Sequence, residues 1–206
     1  MFTGLIECTG TVGRTGSVLQ IRAEKDLLLS VGESIAVNGS CLTVVKTDRK
    51  DIFFDVSPET FNRIVTPAPG MKVNLERSMS ADGRFHGHFV TGHVDAVGSV
   101  TQVKRTSRFS EVSVSFPKEH SLLLVEKGSI TVSGISLTVA SLRRDSFLVA
   151  VIPETLLSTT AGEWKPGYRV NLEFDIIGKY VTQAAQAAQS NRSLREYLEK
   201  YESGRS

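Results

Sequence analysis

Apolar and polar residues alternate in short runs along most of the chain. SIAV (34–37), SCLTVV (40–45), DIFFD (51–55), KVNLER (72–77), SFLVAV (146–151) and RVNLEF (169–174) all carry this two-residue period or are dense in β-branched and aromatic residues. Such a period sends successive side chains to opposite faces, so each run predicts a strand with one face buried. Turn residues separate the runs. Asn38-Gly39 and Ser133-Gly134 sit between alternating stretches, and APGM and KPGY precede KVNLER and RVNLEF. Asn-Gly between two such runs is a strong hairpin signal, and a proline ends a ladder. Many short strands between frequent turns predict an all-β architecture, a small Greek-key barrel or sandwich.

The pattern occurs twice. FTGLIECTGTV (2–12) matches VTGHVDAVGSV (90–100) at an offset of 88. SIAVNGSCLTV (34–44) matches SITVSGISLTV (129–139), and Pro58-Glu59-Thr60 matches Pro153-Glu154-Thr155, both at 95. Val73-Asn74-Leu75-Glu76 matches Val170-Asn171-Leu172-Glu173 at 97. The order is kept and the offset grows slowly, as loop insertions would make it. This predicts tandem domains at about 1–87 and 88–182, with a C-terminal tail at 183–206.

The tail changes character. VTQAAQAAQ is rich in helix formers, and Ser193-x-x-Glu196 has the capping-box spelling. Leu194, Tyr197, Leu198 and Tyr201 recur at helical spacing. A short helix is expected, its apolar stripe either packed on its own barrel or joining subunits.

Composition narrows the function. The 206 residues carry a net charge of +2, which gives no argument for nucleic acid or an anionic membrane. Two cysteines are too few for a disulfide framework or a four-thiolate zinc site. The opening MFTGLIECTGTVGR has Glu7 and no basic-then-apolar run, so no secretory signal is read and a cytoplasmic location is expected. No phosphate-cradling loop, dinucleotide fingerprint or nucleophile elbow is spelled.

Candidate chemistry lies where the repeats differ. On the strand of the first hairpin, Leu42 and Val44 face the expected interior and Cys41 and Thr43 face away. The second copy puts Leu137 and Val139 inside and Ser136 and Thr138 outside. Each copy thus shows a nucleophile-type residue beside a threonine on one polar face, near a glycine, Gly4 or Gly92, of the kind that lets a ligand or another backbone approach. His93 stands in the slot that Leu5 fills in the first copy, and Lys127 in that of Gly32. An acid/base side chain thus stands where the first copy has an apolar one. His86, His88 and His93 cluster, but H-x-H-x4-H lacks an acidic or thiolate ligand at a recognised spacing, so no metal is expected. The two P-E-T blocks fall at strand ends, offering an acceptor and a hydroxyl to a polyhydroxy chain or capping a turn.

These blocks together resemble the riboflavin synthase family. The carriers are Met1-Phe2-Thr3-Gly4-Leu5-Ile6, Asn38-Gly39-Ser40-Cys41-Leu42-Thr43-Val44, the P-E-T blocks, Gly87-His88-Phe89-Val90-Thr91-Gly92-His93-Val94-Asp95 and Gly134-Ile135-Ser136-Leu137-Thr138-Val139. The likeness runs over about residues 1–182 and includes the unequal positions Cys41, His93, Lys127 and Ser136. His86 departs from it, the family more often having glycine there. The resemblance implies two six-stranded Greek-key barrels with a C-terminal helix, and dismutation of two 6,7-dimethyl-8-ribityllumazine molecules. A four-carbon unit would pass from one to the other, giving riboflavin and 5-amino-6-(ribitylamino)uracil, with no cofactor or metal. It also implies a homotrimer joined through C-terminal helices, association with lumazine synthase, and an active site between barrels of two subunits. Gly4, Leu5, Ile6, Cys41, Leu42, Thr43 and Asp55, Val56, Ser57, Pro58, Glu59, Thr60 would line the first site. Gly92, His93, Val94, Lys127, Ser136, Leu137, Thr138 and Ala150, Val151, Ile152, Pro153, Glu154, Thr155 would line the second. Within that scheme His93, with Ser136 and Thr138 near it, would assist proton transfer from the lumazine C7 methyl, and Cys41 would add to the other ring or place water against it. The rival reading is a non-catalytic lumazine- or flavin-binding antenna on the same double barrel.

Overall fold

The computed structural model describes the backbone of residues 1–203 and the side chains of residues 1–189. Strands β1 (Cys8–Arg14), β2 (Val18–Ala23), β3 (Ser34–Val37), β4 (Ser40–Asp48), β5 (Asp51–Asp55) and β6 (Lys72–Arg77) close into one barrel in the order β1-β2-β5-β4-β3-β6. Strands β7 (Ala96–Arg105), β8 (Ser110–Ser115), β9 (Ser129–Val132), β10 (Ile135–Leu142), β11 (Ser146–Val151) and β12 (Arg169–Phe174) close into a second barrel. Going round it gives β7-β8-β11-β10-β9-β12, the same permutation. The all-β, twice-repeated expectation is therefore met, and the barrel is chosen over the sandwich. Closure leaves no free sheet edge.

Alternation explains each interior. Val44, Phe54, Val73 and Leu75 fill the first barrel; Val139, Phe147, Val149 and Leu172 fill the second. Each contributes about 1.5–3 kcal/mol by leaving water. Register shifts fall at matched places, after Val12 and Val44 in the first barrel and after Val100 and Val139 in the second. Asn38 and Ser133 have φ of 45° and 47°, and the glycines after them 81° and 83°, as tight two-residue hairpins require.

Repeat counterparts meet each other across the join. Phe2 and Val90 form a two-way backbone bridge. The tips Gly39 and Gly134 abut so closely that a Cβ on either would lie 2.8 Å from the other's backbone nitrogen. Asn74 donates its side-chain amide to Ser133 O at 2.8 Å, and Asn171 donates to Asn38 O at 2.9 Å. Their Oδ1 atoms accept the N–H groups of Thr160 and Val65. The asparagine of each V-N-L-E block thus belongs to the opposite barrel as much as to its own, and a buried amide with partners on both sides fixes the docking.

Two expectations change. The P-E-T blocks open short helices, α1 (Pro58–Arg63) and α2 (Pro153–Ser158), because proline at the first helical position loses no hydrogen bond. The tail helix α3 spans Ile176–Ser203, so Ser193 lies inside it and does not start it. Asp175 Oδ1 accepts the Ile177 N–H at 2.9 Å at its beginning, and the alanine-rich stretch then carries the helix onward. The side chains of Leu194, Tyr197, Leu198 and Tyr201 lie outside the described residues.

Candidate active site

The strand faces of the first barrel fall as alternation predicts, while in the second Leu137, expected inside, is half-buried between the core and the cavity that Lys127 and Thr155 border. Cys41 and Ser136 are half-buried, Thr43 and Thr138 are exposed, and Leu42 turns into its core. Lys127, Ser136, Leu137, Thr138, Ala140, Ala150, Ile152 and Thr155 surround a cavity of about 380 Å³ on the second barrel. Stepping back 95 residues gives the counterpart positions on the first barrel: Gly32, Cys41, Leu42, Thr43, Val45, Asp55, Ser57 and Thr60. The hydroxyl of Thr at the end is kept, and so is the Leu-x pair on the strand. What differs is charge and nucleophile. The first face has an acidic Asp55 and a thiol; the second has a basic Lys127 and a hydroxyl.

Several side chains expected to line these faces point elsewhere. Val56 and Val151 are buried in the two cores. Glu59 is exposed and pairs with Arg63 at 3.2 Å, and Glu154 is exposed on α2. Ser57 caps α1, accepting the Thr60 N–H at 3.2 Å with the two hydroxyls 3.0 Å apart. Ile152 stands at the matching cap position of α2 without a side-chain bond, which leaves Thr155 turned to the cavity.

The leading segments are exchanged between barrels. Ser136 N–H donates to Gly4 O at 2.8 Å, and Cys41 N–H donates to Gly92 O at 2.8 Å. Both glycines have φ of 80°. A Cβ on Gly4 would sit 2.5 Å from Ser136 Cβ, and one on Gly92 2.6 Å from Cys41 Cβ. The close approach expected at these glycines is therefore made by the opposite barrel's strand. Ile6 likewise packs against the second barrel's core. The grouping expected from sequence is corrected: Gly4 lies against Ser136 and Ile6 against the second barrel's core, while Gly92, which precedes His93 and Val94, lies against Cys41. Sequence alone groups a segment with its own repeat, and only the folded join shows the exchange. Leu5 is exposed and borders a different cavity, shared with Arg77 and Met79.

The histidine at Ser136 is also not the expected one. His88 Nδ1 lies 2.7 Å from Ser136 Oγ, and His88 Nε2 lies 3.1 Å from Thr131 Oγ1. His93 is exposed and its Nδ1 lies 3.0 Å from Thr91 Oγ1. With both nitrogens of His88 facing hydroxyls and the ring buried, the cluster with His86 and His93 does not assemble as a ligand triad. Burial holds the His88 ring below the usual histidine range, opposed by the Asp175 carboxylate. The signal for His88 in sequence is faint: Thr131 replaces Ala36 of the first copy.

Lys127 has φ of 66°, in the left-handed region that Gly32 occupies at 91° in the first copy. Its Nζ donates to Ala140 O at 3.2 Å at the cavity rim. A side chain held in that conformation at a cavity is strain of the kind that clusters at ligand sites. Cys8, the other thiol, is buried, and burial pushes its pKa up.

Two closed barrels with matched polar faces define a tandem small-ligand-binding protein, and comparison with known proteins agrees. The family model for the lumazine binding domain matches residues 3–78 and again 91–175. A riboflavin synthase of Bacillus subtilis (strain 168) is 39% identical over 201 residues, covering 94% of each chain. One of Mycobacterium tuberculosis (strain ATCC 25618 / H37Rv) is 44% identical over 200 residues, 91% of this chain and 100% of its own. The chain belongs to the riboflavin synthase family. Among solved structures, LumP complexed with riboflavin matches with a TM-score of 0.76 over 84% of this chain and 99% of its own, and LumP with 6,7-dimethyl-8-(1'-D-ribityl) lumazine with 0.72 over 84% and 98%. At 22% and 21% identity these neighbours support the fold alone. Among the described residues no helix is long and apolar enough to cross a membrane.

Proposed function

We propose that this chain dismutates two molecules of 6,7-dimethyl-8-ribityllumazine, moving a four-carbon unit from one to the other to give riboflavin and 5-amino-6-(ribitylamino)uracil. What supports this reading is the second-barrel cavity at Lys127, Ser136 and Thr155, together with the counterpart positions Gly32, Cys41 and Thr60 of the first barrel, which carry unequal chemistry. A dismutation needs two places that bind the same molecule and act on it differently. The first face offers the Cys41 thiol, whose backbone packs against Gly92, the residue before His93. The second offers Ser136, hydrogen-bonded to a buried His88, and the Lys127 cation.

In this reading a lumazine on the second barrel loses a C7-methyl proton. Ser136 Oγ takes it while passing its own proton to His88 Nδ1, and Thr131 holds the other ring nitrogen so that Nδ1 is the acceptor. Lys127 favours the resulting anion by charge. A lumazine on the first barrel meets Cys41, which adds to the ring or places water against it. Holding two large rings together supplies much of the acceleration, since proximity can be worth roughly 7–11 kcal/mol. The chemistry needs no cofactor. Exposed apolar residues at the root of α3, Ile177, Tyr180 and Val181, and Leu122 on the turn it packs against, support subunit association there. A homotrimer joined by these helices would bring the two unlike faces of neighbouring subunits together.

The test is to incubate the protein with 6,7-dimethyl-8-ribityllumazine and follow riboflavin fluorescence. Riboflavin formation is expected. A lumazine that binds and stays unchanged overturns the reading in favour of an antenna.

A further inference from the structure

Two buried carboxylates have no part in the reaction just described. Glu76 ends the first V-N-L-E block and Glu173 the second. Glu76 Oε1 accepts the Thr3 N–H at 2.7 Å, the Thr3 hydroxyl at 3.1 Å and, with Oε2, the Gly4 N–H at 3.1 Å. Glu173 Oε1 accepts the Thr91 N–H at 2.6 Å and the Thr91 hydroxyl at 2.7 Å, while Oε2 accepts the Gly92 N–H at 3.0 Å. Each carboxylate is 3–4% exposed. A buried charge is tolerated only where donors surround it, and here both oxygens are turned to one Thr-Gly turn.

Those turns are the exchanged ones. Glu173 is on the second barrel, yet the turn it holds gives Gly92 O to the N–H of Cys41 on the first. Glu76 is on the first barrel, and its turn gives Gly4 O to the N–H of Ser136 on the second. The peptide group after Gly92 also carries His93. We infer that Glu173 is the positioning residue for Cys41 and Glu76 the positioning residue for Ser136, each acting across the join on the other barrel's site. The inference deepens the site reading and rests on it for the roles of Cys41 and Ser136.

The geometry explains why a carboxylate is used. A glutamine at 173 keeps one acceptor oxygen but turns an NH₂ toward a backbone N–H, so one of the two turn amides faces another donor. The turn then loosens where its carbonyl meets the strand of Cys41. A role confined to the carboxylate's own barrel would loosen that barrel and leave the opposite strand alone. The crossed pattern separates the two.

Hydrogen–deuterium exchange on the full-length chain reads it directly. Glu173→Gln is expected to speed exchange of the Cys41 amide about five-fold or more and leave the Ser136 amide near its wild-type rate. Glu76→Gln is expected to do the reverse. Cys41 gives an independent readout, since Cys8 is buried: alkylation of native protein by iodoacetamide should quicken in Glu173→Gln and not in Glu76→Gln. If either glutamine variant fails to fold, Glu173→Asp and Glu76→Asp keep the charge with a shorter reach and should show the same crossed pattern more weakly. Equal change at both amides in both variants, or change confined to the variant's own barrel, overturns the inference. Neither readout needs turnover, so a chain that makes no riboflavin yet shows the crossed pattern would fail the functional reading and keep this one.

Discussion

Cys41 and Gly92 belong to different barrels, yet the N–H of one meets the carbonyl of the other at 2.8 Å. Ser136 and Gly4 repeat the contact at the same distance. Each face that bears a nucleophile-type residue is thus completed by the opposite repeat, and the two sites are linked through the join rather than carried separately.

The contact makes the glycines irreplaceable. Gly4→Ala and Gly92→Ala each set a Cβ less than 3 Å from the facing strand in a left-handed conformation. Left-handed backbone alone costs a non-glycine residue roughly 1–2 kcal/mol, and the overlap adds to it. Thermal unfolding should show a lower Tm for both, with lumazine turnover lost together with it. An unchanged Tm in either would mean that the barrels do not meet as described.

His88 is expected to act through its neutral form. Its folded-state pKa lies below the ordinary 6.5 because it is buried. In the window between that lowered value and 6.5 the unfolded chain binds more protons, so stability falls as pH is lowered through it. His88→Gln does not titrate. Denaturant midpoints of the two proteins should therefore converge or cross in favour of the variant as pH drops below about 6.5. Parallel curves would show that His88 is not buried neutral.

The same histidine and its partner should matter for rate more than for binding. Ser136→Ala and His88→Gln are each expected to lower kcat about 100-fold or more, with KM nearly unchanged. A loss seen mainly in KM would make them binding residues only.

Native protein should present one accessible thiol. Cys41 is half-buried on the ligand face and Cys8 is 8% exposed. Titration with a thiol reagent should give one fast equivalent, slowed by added riboflavin, and a second only on unfolding. Two fast thiols, or no protection, would take Cys41 off the ligand face. Cys41→Ala should slow turnover far more than it weakens lumazine binding.

Lys127 offers a trade between strain and binding. Lys127→Gly restores the residue found at position 32 and removes a left-handed side chain. Stability should rise by up to about 1 kcal/mol in equilibrium unfolding while riboflavin affinity falls. A loss of stability would show that the lysine contributes more to folding than its conformation takes away.

The repeat, the strands and most of their faces are legible in the order of residues. Two-residue alternation decides which side chains enter a barrel, so Leu42 and Val44 go in and Cys41 and Thr43 stay out, and the turn residues Asn38-Gly39 fix the hairpin. These are local consequences of backbone geometry and do not depend on what lies across the join. Which segments face one another follows from the docking of the two barrels. Gly4 and Ile6 read as part of the first site and lie on the second barrel; His93 reads as the partner of Ser136, and His88 holds that place. Asn74, Asn171, Glu76 and Glu173 read as strand residues in a repeated block and prove to tie the two barrels and their turns together. Each of these contacts joins residues tens of positions apart, and their partners are set by how two closed barrels dock, which no local period encodes.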